Sequence, residues 1–595
     1  MRSAILAAVV VACLVACAPG CGGGHLLPDG GGEGGAVEGP FGWPPQLAPL
    51  FTTTPQTACT FAAPLAVTSA GQPQILTATA DGRFVAYDPL TGAQRWTLAL
   101  AAGAGLAPHL AAPPALVGRR LVFAWQEVQP DWTRVAHHVG VLDLDARGLD
   151  DDFPMLTLTA AKPTFDESDV VTFDPAHAYS RAAVVAAQAP GHDLGLAYVS
   201  LGNVRDLQPW HGWLFELDLD AWRASAGATA VSAVMLTTAN SQCGATGGDG
   251  SRQMACGGGI WAHLGPEVVY DPALPDGFEL LVPTGNGMLD PMHQQFANGV
   301  LRVGHGLAFD PGCDPSLCDP FDPTAPTGAC MGSCANLFMP RLLDGQPVPR
   351  GANDACVGKT LLECYAALDW DLGASAPARF TLPGGQRLAL IPGKDGAVYL
   401  FDADHLGTLY DRAAIMDGCG EGGASCAADW AGTIATKPVV VTVDGARLAL
   451  VPTFVFDDTH PAGLQALEIA VDVDGTPRFI PRWQVPSFDG NASAARTAFR
   501  QPPSGVTVID IAGEPYALVV DVGAPGQHGT LYLVRVRDGA VLQTISLQGP
   551  GQRYAPPLFA YGNVYLSSCQ HMGTPNYNEG PSSVEAFRIV APQGL

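Results

Sequence analysis

A chain of 595 residues exceeds what one ordinary hydrophobic core organises, leaving either several domains or one long repeat array. Apolar residues at 47% against 14% charged exclude general disorder. A formal charge of −26 argues against nucleic acid or an anionic membrane face as partner, since both select basic patches.

Arg2 precedes an apolar run, Ala4–Ala12, that continues to Leu14-Val15-Ala16-Cys17. The run is too short to span a bilayer and reads as an export signal. Leu-Val-Ala-Cys resembles the bacterial lipobox, in which the signal is cut before a diacylated cysteine. The resemblance implies a lipoprotein signal peptide over residues 1–16 and Cys17 as the lipidated first residue of the mature chain. With Ala18 next, it also implies delivery to the outer membrane. Cys13, behind a shorter apolar run, is a second candidate, and a plain secretory signal is the alternative. Residues 17–50 are rich in Gly and Pro, with runs such as Gly30-Gly31-Gly32, and read as a flexible tether. Residues 51–595 are left for the folded body. The expected location is the bacterial cell envelope, with the lipid anchor as the contact to the membrane.

Ala62–Thr68 reads as a first strand. Ile75–Leu100 then holds three strand-length apolar runs, Ile75–Thr79, Phe84–Asp88 and Gln94–Leu100. Asp81-Gly82 separates the first two, and Gly at that place suits a tight hairpin. Pro89-Leu90-Thr91-Gly92 makes the second turn, and the meander ends on Trp96. Leu116–Leu158 is a degenerate copy, with strands Arg120–Trp125 and Val139–Leu144. His137-His138 in it point to opposite faces of one strand and so cannot share a metal ion. Strand, turn and strand recur at Leu388–Tyr399, at Val439–Pro452 around Asp444-Gly445, and at Leu531–Leu547 around Asp538-Gly539. Arg482-Trp483 echoes Arg95-Trp96. An isolated meander cannot bury both faces, so these units imply neighbours of their own kind. The expected fold is all-β: a single β-propeller of about eight four-stranded blades, seven also fitting the count, with disulfide-rich loop insertions.

The Ile75–Leu100 unit resembles the repeat of the quinoprotein-like (PQQ-type) propellers: strand, Asp-Gly, strand ending in Ala-x-Asp, then Thr-Gly and Trp. Between Phe173 and Gly407 the order of His211-Gly212-Trp213, Gly258-Gly259-Ile260-Trp261, Thr284-Gly285-Asn286-Gly287 and Gly393-Lys394-Asp395-Gly396 is similar to exported bacterial propellers of that type. In the quinoprotein alcohol dehydrogenases the resemblance implies pyrroloquinoline quinone and calcium. Those enzymes need a vicinal cysteine pair, a stacking Trp, Glu/Asn/Asp calcium ligands and a catalytic Asp. No two cysteines are adjacent here. Trp261 as stacking ring, with Asn286 or Asp290 for calcium, are the residues that would serve if the cofactor binds.

Setting aside Cys13, Cys17 and Cys21, twelve cysteines remain, as export favours. Cys243 lies near Cys256, Cys313 near Cys318, Cys330 near Cys334, Cys356 near Cys364 and Cys419 near Cys426. Cys59 and Cys569 remain at opposite ends of the array, where ring closure would make them a latch. The insertion Asp310–Cys364 is loop-like. Asp310, Asp314, Asp319 and Asp322 are candidate calcium ligands, though without EF-hand spacing. Cys313, Cys318, Cys330 and Cys334 could instead bind zinc, but their spacing is wrong for paired knuckles. No Gly-x-Ser-x-Gly elbow or His-Glu-x-x-His pair is present. The expectation is a non-catalytic, monomeric envelope lipoprotein without a cofactor, binding a protein, a carbohydrate or another envelope component. The alternative is a PQQ-dependent oxidoreductase.

Overall fold

The computed structural model of the protein describes residues 44–591, apart from 204–208, 242–255, 323–325, 350–355, 369, 416–435, 455–461, 487–497, 500, 524–526 and 570–579. Among the described residues, eight antiparallel sheets of at least four strands follow one another along the chain. Blade 1 comprises Leu65–Ser69, Gln72–Thr79, Arg83–Tyr87 and Gln94–Ala99. Blade 2 is built on Arg120–Val128 and Arg134–Asp143, and blade 3 on Leu196–Asn203, Trp213–Asp218 and Val231–Leu236. Both edges of blade 2 and one edge of blade 3 are split into short strands. Blade 4 runs through Glu267–Tyr270, Phe278–Pro283, Val300–Val303 and Leu337–Phe338, and blade 5 through Ala378–Thr381, Arg387–Pro392, Ala397–Asp402 and Leu409–Ala414. Blade 6 spans Val439–Val485 and blade 7 Thr507–Ser546. Blade 8 takes Leu558–Ala560, Asn563–Cys569 and Ser582–Val590, with Gln46–Thr52 as its fourth strand. The structure is therefore an eight-bladed propeller. No described helix is long and apolar enough to cross a membrane.

Blade 1 shows why the ring forms. Successive strand residues point to opposite faces. Leu76, Phe84, Ala86 and Trp96 pack with Leu121, Phe123 and Trp125 of blade 2. Ile75, Val85 and Tyr87 pack instead with Tyr565, Val584 and Ala586 of blade 8. Phe84 meets Phe123 edge-on, with ring centroids 4.9 Å apart. Each large side chain so buried stabilises by about 1.5–3 kcal/mol, and neither face has water as an alternative neighbour.

Closure depends on the start of the chain. Gln46–Thr52 pairs antiparallel with Ser582–Val590, from Gln46 opposite Val590 to Thr52 opposite Glu585. Leu47 N–H also donates to Gln543 Oε1 at 2.7 Å. Residues 46–50, read from composition as the end of the tether, are thus the closing strand. Their sequence, QLAPL, has no clean alternation, and Pro49 is tolerable only on an edge strand. The open edge of Ser582–Val590 makes them a strand. Cys59 and Cys569 form a disulfide just inside this seam, with Cα atoms 5.1 Å apart across a sequence separation of 510.

The insertion at 310–364 differs from expectation in two ways. It contains Leu337–Phe338, the fourth strand of blade 4, so it is not all loop. Its cysteines nest: Cys313 bonds Cys334, and Cys318 bonds Cys330. Neighbours in sequence are not partners, because the short helices Pro315–Cys318 and Gly328–Ser333 pack on each other and bring inner to inner and outer to outer. All four sulfurs are committed, which removes the zinc alternative. Cys356–Cys364 is paired as its spacing suggested. Cys256 is disulfide-bonded. Cys17, Cys243, Cys419 and Cys426 lie outside the described residues.

Replacing both seam cysteines, as Cys59→Ser with Cys569→Ser, is expected to lower unfolding free energy by about 2–5 kcal/mol through the freed unfolded chain. Denaturant unfolding under non-reducing conditions measures this, and an unchanged midpoint would show that the closing strand alone holds the ring.

Candidate functional site

The first strands of successive blades, from Ala378–Thr381 through Val439–Val443, Thr507–Ile511 and Leu558–Ala560 to Leu65–Ser69, touch in turn and so line the axis. In an antiparallel meander the approach to the first strand and the turn from second to third share one end. Arg181, Trp261, Asp371 and Tyr554 occupy such approaches in blades 3, 4, 5 and 8, and Lys394 occupies such a turn in blade 5. Trp261 and Tyr554 pack with Ala374 and Phe454, residues of four different blades that meet at the axis.

Two glycine-rich segments build the floor. Gly258 N–H donates to Asn286 O at 2.8 Å, and Gly285 N–H donates to Gly259 O at 2.8 Å. Gly257 (φ +106°) and Gly287 (φ +150°) pair across this contact. A Cβ on Gly257 would lie 2.3 Å from Asn286 O, so no other residue permits the approach. The packing projects Trp261 and Asn286 toward one carboxylate.

That carboxylate is Asp371. Its Oδ2 accepts from Lys394 Nζ at 3.4 Å, from Trp261 Nε1–H at 3.3 Å and from the Asn286 backbone N–H at 3.3 Å. Asp371 and Lys394 are both buried. Burial pushes the Asp371 carboxyl above the usual carboxylate range, and the Lys394 charge draws it part of the way back. Asp371 Oδ1 and Asn286 Nδ2 are buried with no hydrogen-bond partner among the described residues. Asp395, next to Lys394, points the other way and is held by Arg412 and Tyr399, each at 2.7 Å, which fixes the turn that aims the lysine.

Cations and rings crowd the mouth. Lys394 Nζ lies 4.7 Å and Arg181 Cζ 4.8 Å from the Trp261 ring centroid. Arg181 Cζ is also 5.7 Å from Tyr554 and 5.9 Å from Tyr179, and Arg134 Cζ is 4.4 Å from Tyr179. His263 reaches Tyr554 with ring centroids 5.7 Å apart. Contacts of this kind contribute about 0.5–2 kcal/mol each.

Trp261 and Asn286, named from sequence, are thus brought together. Asp371 and Lys394 were not singled out, although the motif Gly393–Gly396 contained the lysine; one of the two Asp residues flanking Trp370 in an Asp-rich chain carries no periodic signal. Asp290 is turned aside, its oxygens engaging Met292 N–H at 3.1 Å and His293 at 2.7 Å. Asp310 accepts from Gly312 N–H at 2.8 Å and Asp314 from Ser316 N–H at 2.9 Å. The serine hydroxyl and amide hold the Asp314 carboxyl below its ordinary range. Among the described residues Asp310, Asp314 and Asp319 belong to no group of three converging ligands.

Calcium takes about six to eight oxygens. The described groups against Asp371 Oδ2 are an ammonium, an indole N–H and a backbone N–H, all hydrogen-bond donors. This donor set does not fit the metal, and the Trp261 ring is already faced by Lys394 and Arg181.

No family model matches the chain, and no curated protein matches it either. Among solved structures, a europium-containing methanol dehydrogenase superposes with a TM-score of 0.51 at 10% identity, over 91% of this chain and 93% of that one. The quinohemoprotein alcohol dehydrogenase ADHIIG of Pseudomonas putida HK5 gives 0.50 at 13%, over 92% and 77%. BamB of Moraxella catarrhalis reaches only 0.42 at 10%, over 91% and 100%. At these identities the first two show a shared quinoprotein-type propeller fold and nothing of activity.

Lys394→Met should strand the Asp371 charge and cost about 3–5 kcal/mol near pH 7. Because the folded-state pKa of Asp371 is raised, the folded chain takes up its proton first, and the stability this gives is lost as pH rises through that pKa. The deficit of the variant should therefore shrink on acidification toward about pH 4. Thermal melts of both proteins across that range test it; a pH-independent deficit would mean that Asp371 does not carry the charge.

Proposed function

We propose that the protein is a non-catalytic binding module of the bacterial cell envelope, anchored through a lipidated Cys17, and that its axial mouth binds an acidic carbohydrate. The observation that carries this reading is Arg181, a half-buried cation within 6 Å of the rings of Tyr179, Trp261 and Tyr554. Aromatic faces suit the apolar face of a sugar ring, and a guanidinium suits its carboxylate through paired hydrogen bonds. On a chain of net charge −26, this cluster of Arg134, Arg181 and Lys394 is a local reversal of sign. Eight packed blades hold these groups in place before a ligand arrives, which lowers the ordering cost of binding.

A second reading, a quinone-dependent oxidoreductase, is supported by the fold shared with a quinohemoprotein alcohol dehydrogenase and a europium-containing methanol dehydrogenase. Oligogalacturonate and its neutral methyl ester distinguish the two. Calorimetry is expected to show binding of the acid form, at least tenfold weaker binding of the ester, and a similar loss for Arg181→Ala. A dose-dependent melting shift with pyrroloquinoline quinone and calcium or a lanthanide, accompanied by alcohol-dependent dye reduction, would instead establish the oxidoreductase. For the anchor, Cys17→Ala should move the protein from the membrane fraction to the soluble fraction; unchanged fractionation removes lipidation from the proposal.

A further inference from the structure

Away from the axis, on the flank where blades 3 and 4 meet, His192, Asp218 and Asp220 converge with their ligand atoms all within 4.8 Å of one another. His192 Nδ1 lies 3.5 Å from Asp218 Oδ1 and 4.0 Å from Asp220 Oδ2. Ligands at tetrahedral zinc bond lengths of about 2.0–2.2 Å stand roughly 3.3–3.6 Å from one another, so these three atoms would close by at most about 1.5 Å around an ion. All three side chains are half-buried rather than free in solvent. The carboxylates are positioned by the fold: Asp218 Oδ1 accepts from Ala221 N–H at 2.9 Å, and Asp220 Oδ2 accepts from Leu194 N–H at 3.0 Å. An ionised carboxylate oxygen keeps a lone pair beyond one such bond.

A second histidine stands beside them on the neighbouring blade. The His305 ring centroid is 5.9 Å from that of His192. Its Nδ1 is 3.1 Å from Glu216 Oε2, and Glu216 is fully buried. Glu216 is itself held by Tyr198 Oη–H at 3.0 Å, Ser232 Oγ–H at 2.7 Å and Gly306 N–H at 2.9 Å. A carboxylate bound to one ring nitrogen fixes the tautomer and leaves the other nitrogen as a ligand, the arrangement that orients histidines at metal centres. Imidazole with carboxylate suits zinc and other borderline divalent ions better than calcium, which wants oxygen alone.

We propose that His192, Asp218 and Asp220, with His305 as fourth ligand oriented by Glu216, form a zinc-class divalent metal site that ties blade 3 to blade 4. It is independent of the axial site and of the carbohydrate reading. The full chain, stripped with chelator and titrated with zinc by calorimetry, is expected to bind one ion per chain at this site, with a zinc-dependent rise in melting temperature. Cobalt should give the intense visible absorption of a tetrahedral complex. His192→Gln and Asp220→Asn should each weaken zinc binding at least tenfold, with the metal-free melting temperature unchanged. His305→Gln should also weaken zinc binding and shift the cobalt spectrum. Absence of stoichiometric binding, or binding that survives in His192→Gln and Asp220→Asn, overturns the proposal; binding and spectrum unchanged in His305→Gln overturn the fourth ligand.

Discussion

A four-stranded sheet whose two faces are both apolar has no stable existence alone, and every feature of this molecule follows from how that is resolved. In blade 1 the odd and even residues of Arg83–Tyr87 serve different neighbours, Val85 and Tyr87 facing blade 8 while Phe84 and Ala86 face blade 2. Repeated around the ring, the arrangement leaves no first or last blade unless the sequence breaks it. It breaks it inside blade 8, between Gln46–Thr52 and Ser582–Val590, and there the protein concentrates its reinforcement: a borrowed strand, a half-buried Gln543 bond and the Cys59–Cys569 disulfide.

Closing eight blades leaves an axis that short side chains cannot fill. Here the glycine-rich segments around Gly257 and Gly287 pack backbone against backbone and deliver Trp261 and Asn286 to Asp371. A buried ion pair such as Asp371–Lys394 contributes little net stability compared with an apolar pair of the same volume. The insertions are treated differently. The 310–364 segment buries Phe321, Met331 and Leu362 in the core shared by blades 3 and 4, and its nested disulfides tie its two short helices together.

The blades were legible because their determinants are local. Asp81-Gly82 and Asp444-Gly445 announce hairpins within a few residues, and alternation announces faces, so fold class and repeat type follow from short windows. The pairing of Cys59 with Cys569 was also legible, because circular topology leaves chain ends as neighbours. Trp261 and Asn286 were legible through motif resemblance. Asp371, Lys394 and Arg181 were not, since each is an ordinary charged residue whose partners come from other blades.

By itself, then, the sequence determined an all-β array of meanders, the kind of turn between strands and the latch between its ends. Only the tertiary structure decided that residues 46–50 are a strand, that the insertion cysteines nest, and that a lysine, an arginine and an aspartate converge on one tryptophan. The reason is range: hairpins and alternation are written within ten residues, whereas an edge strand's identity, a helix–helix disulfide and an axial charge pair exist only after distant segments have been carried round the ring into contact.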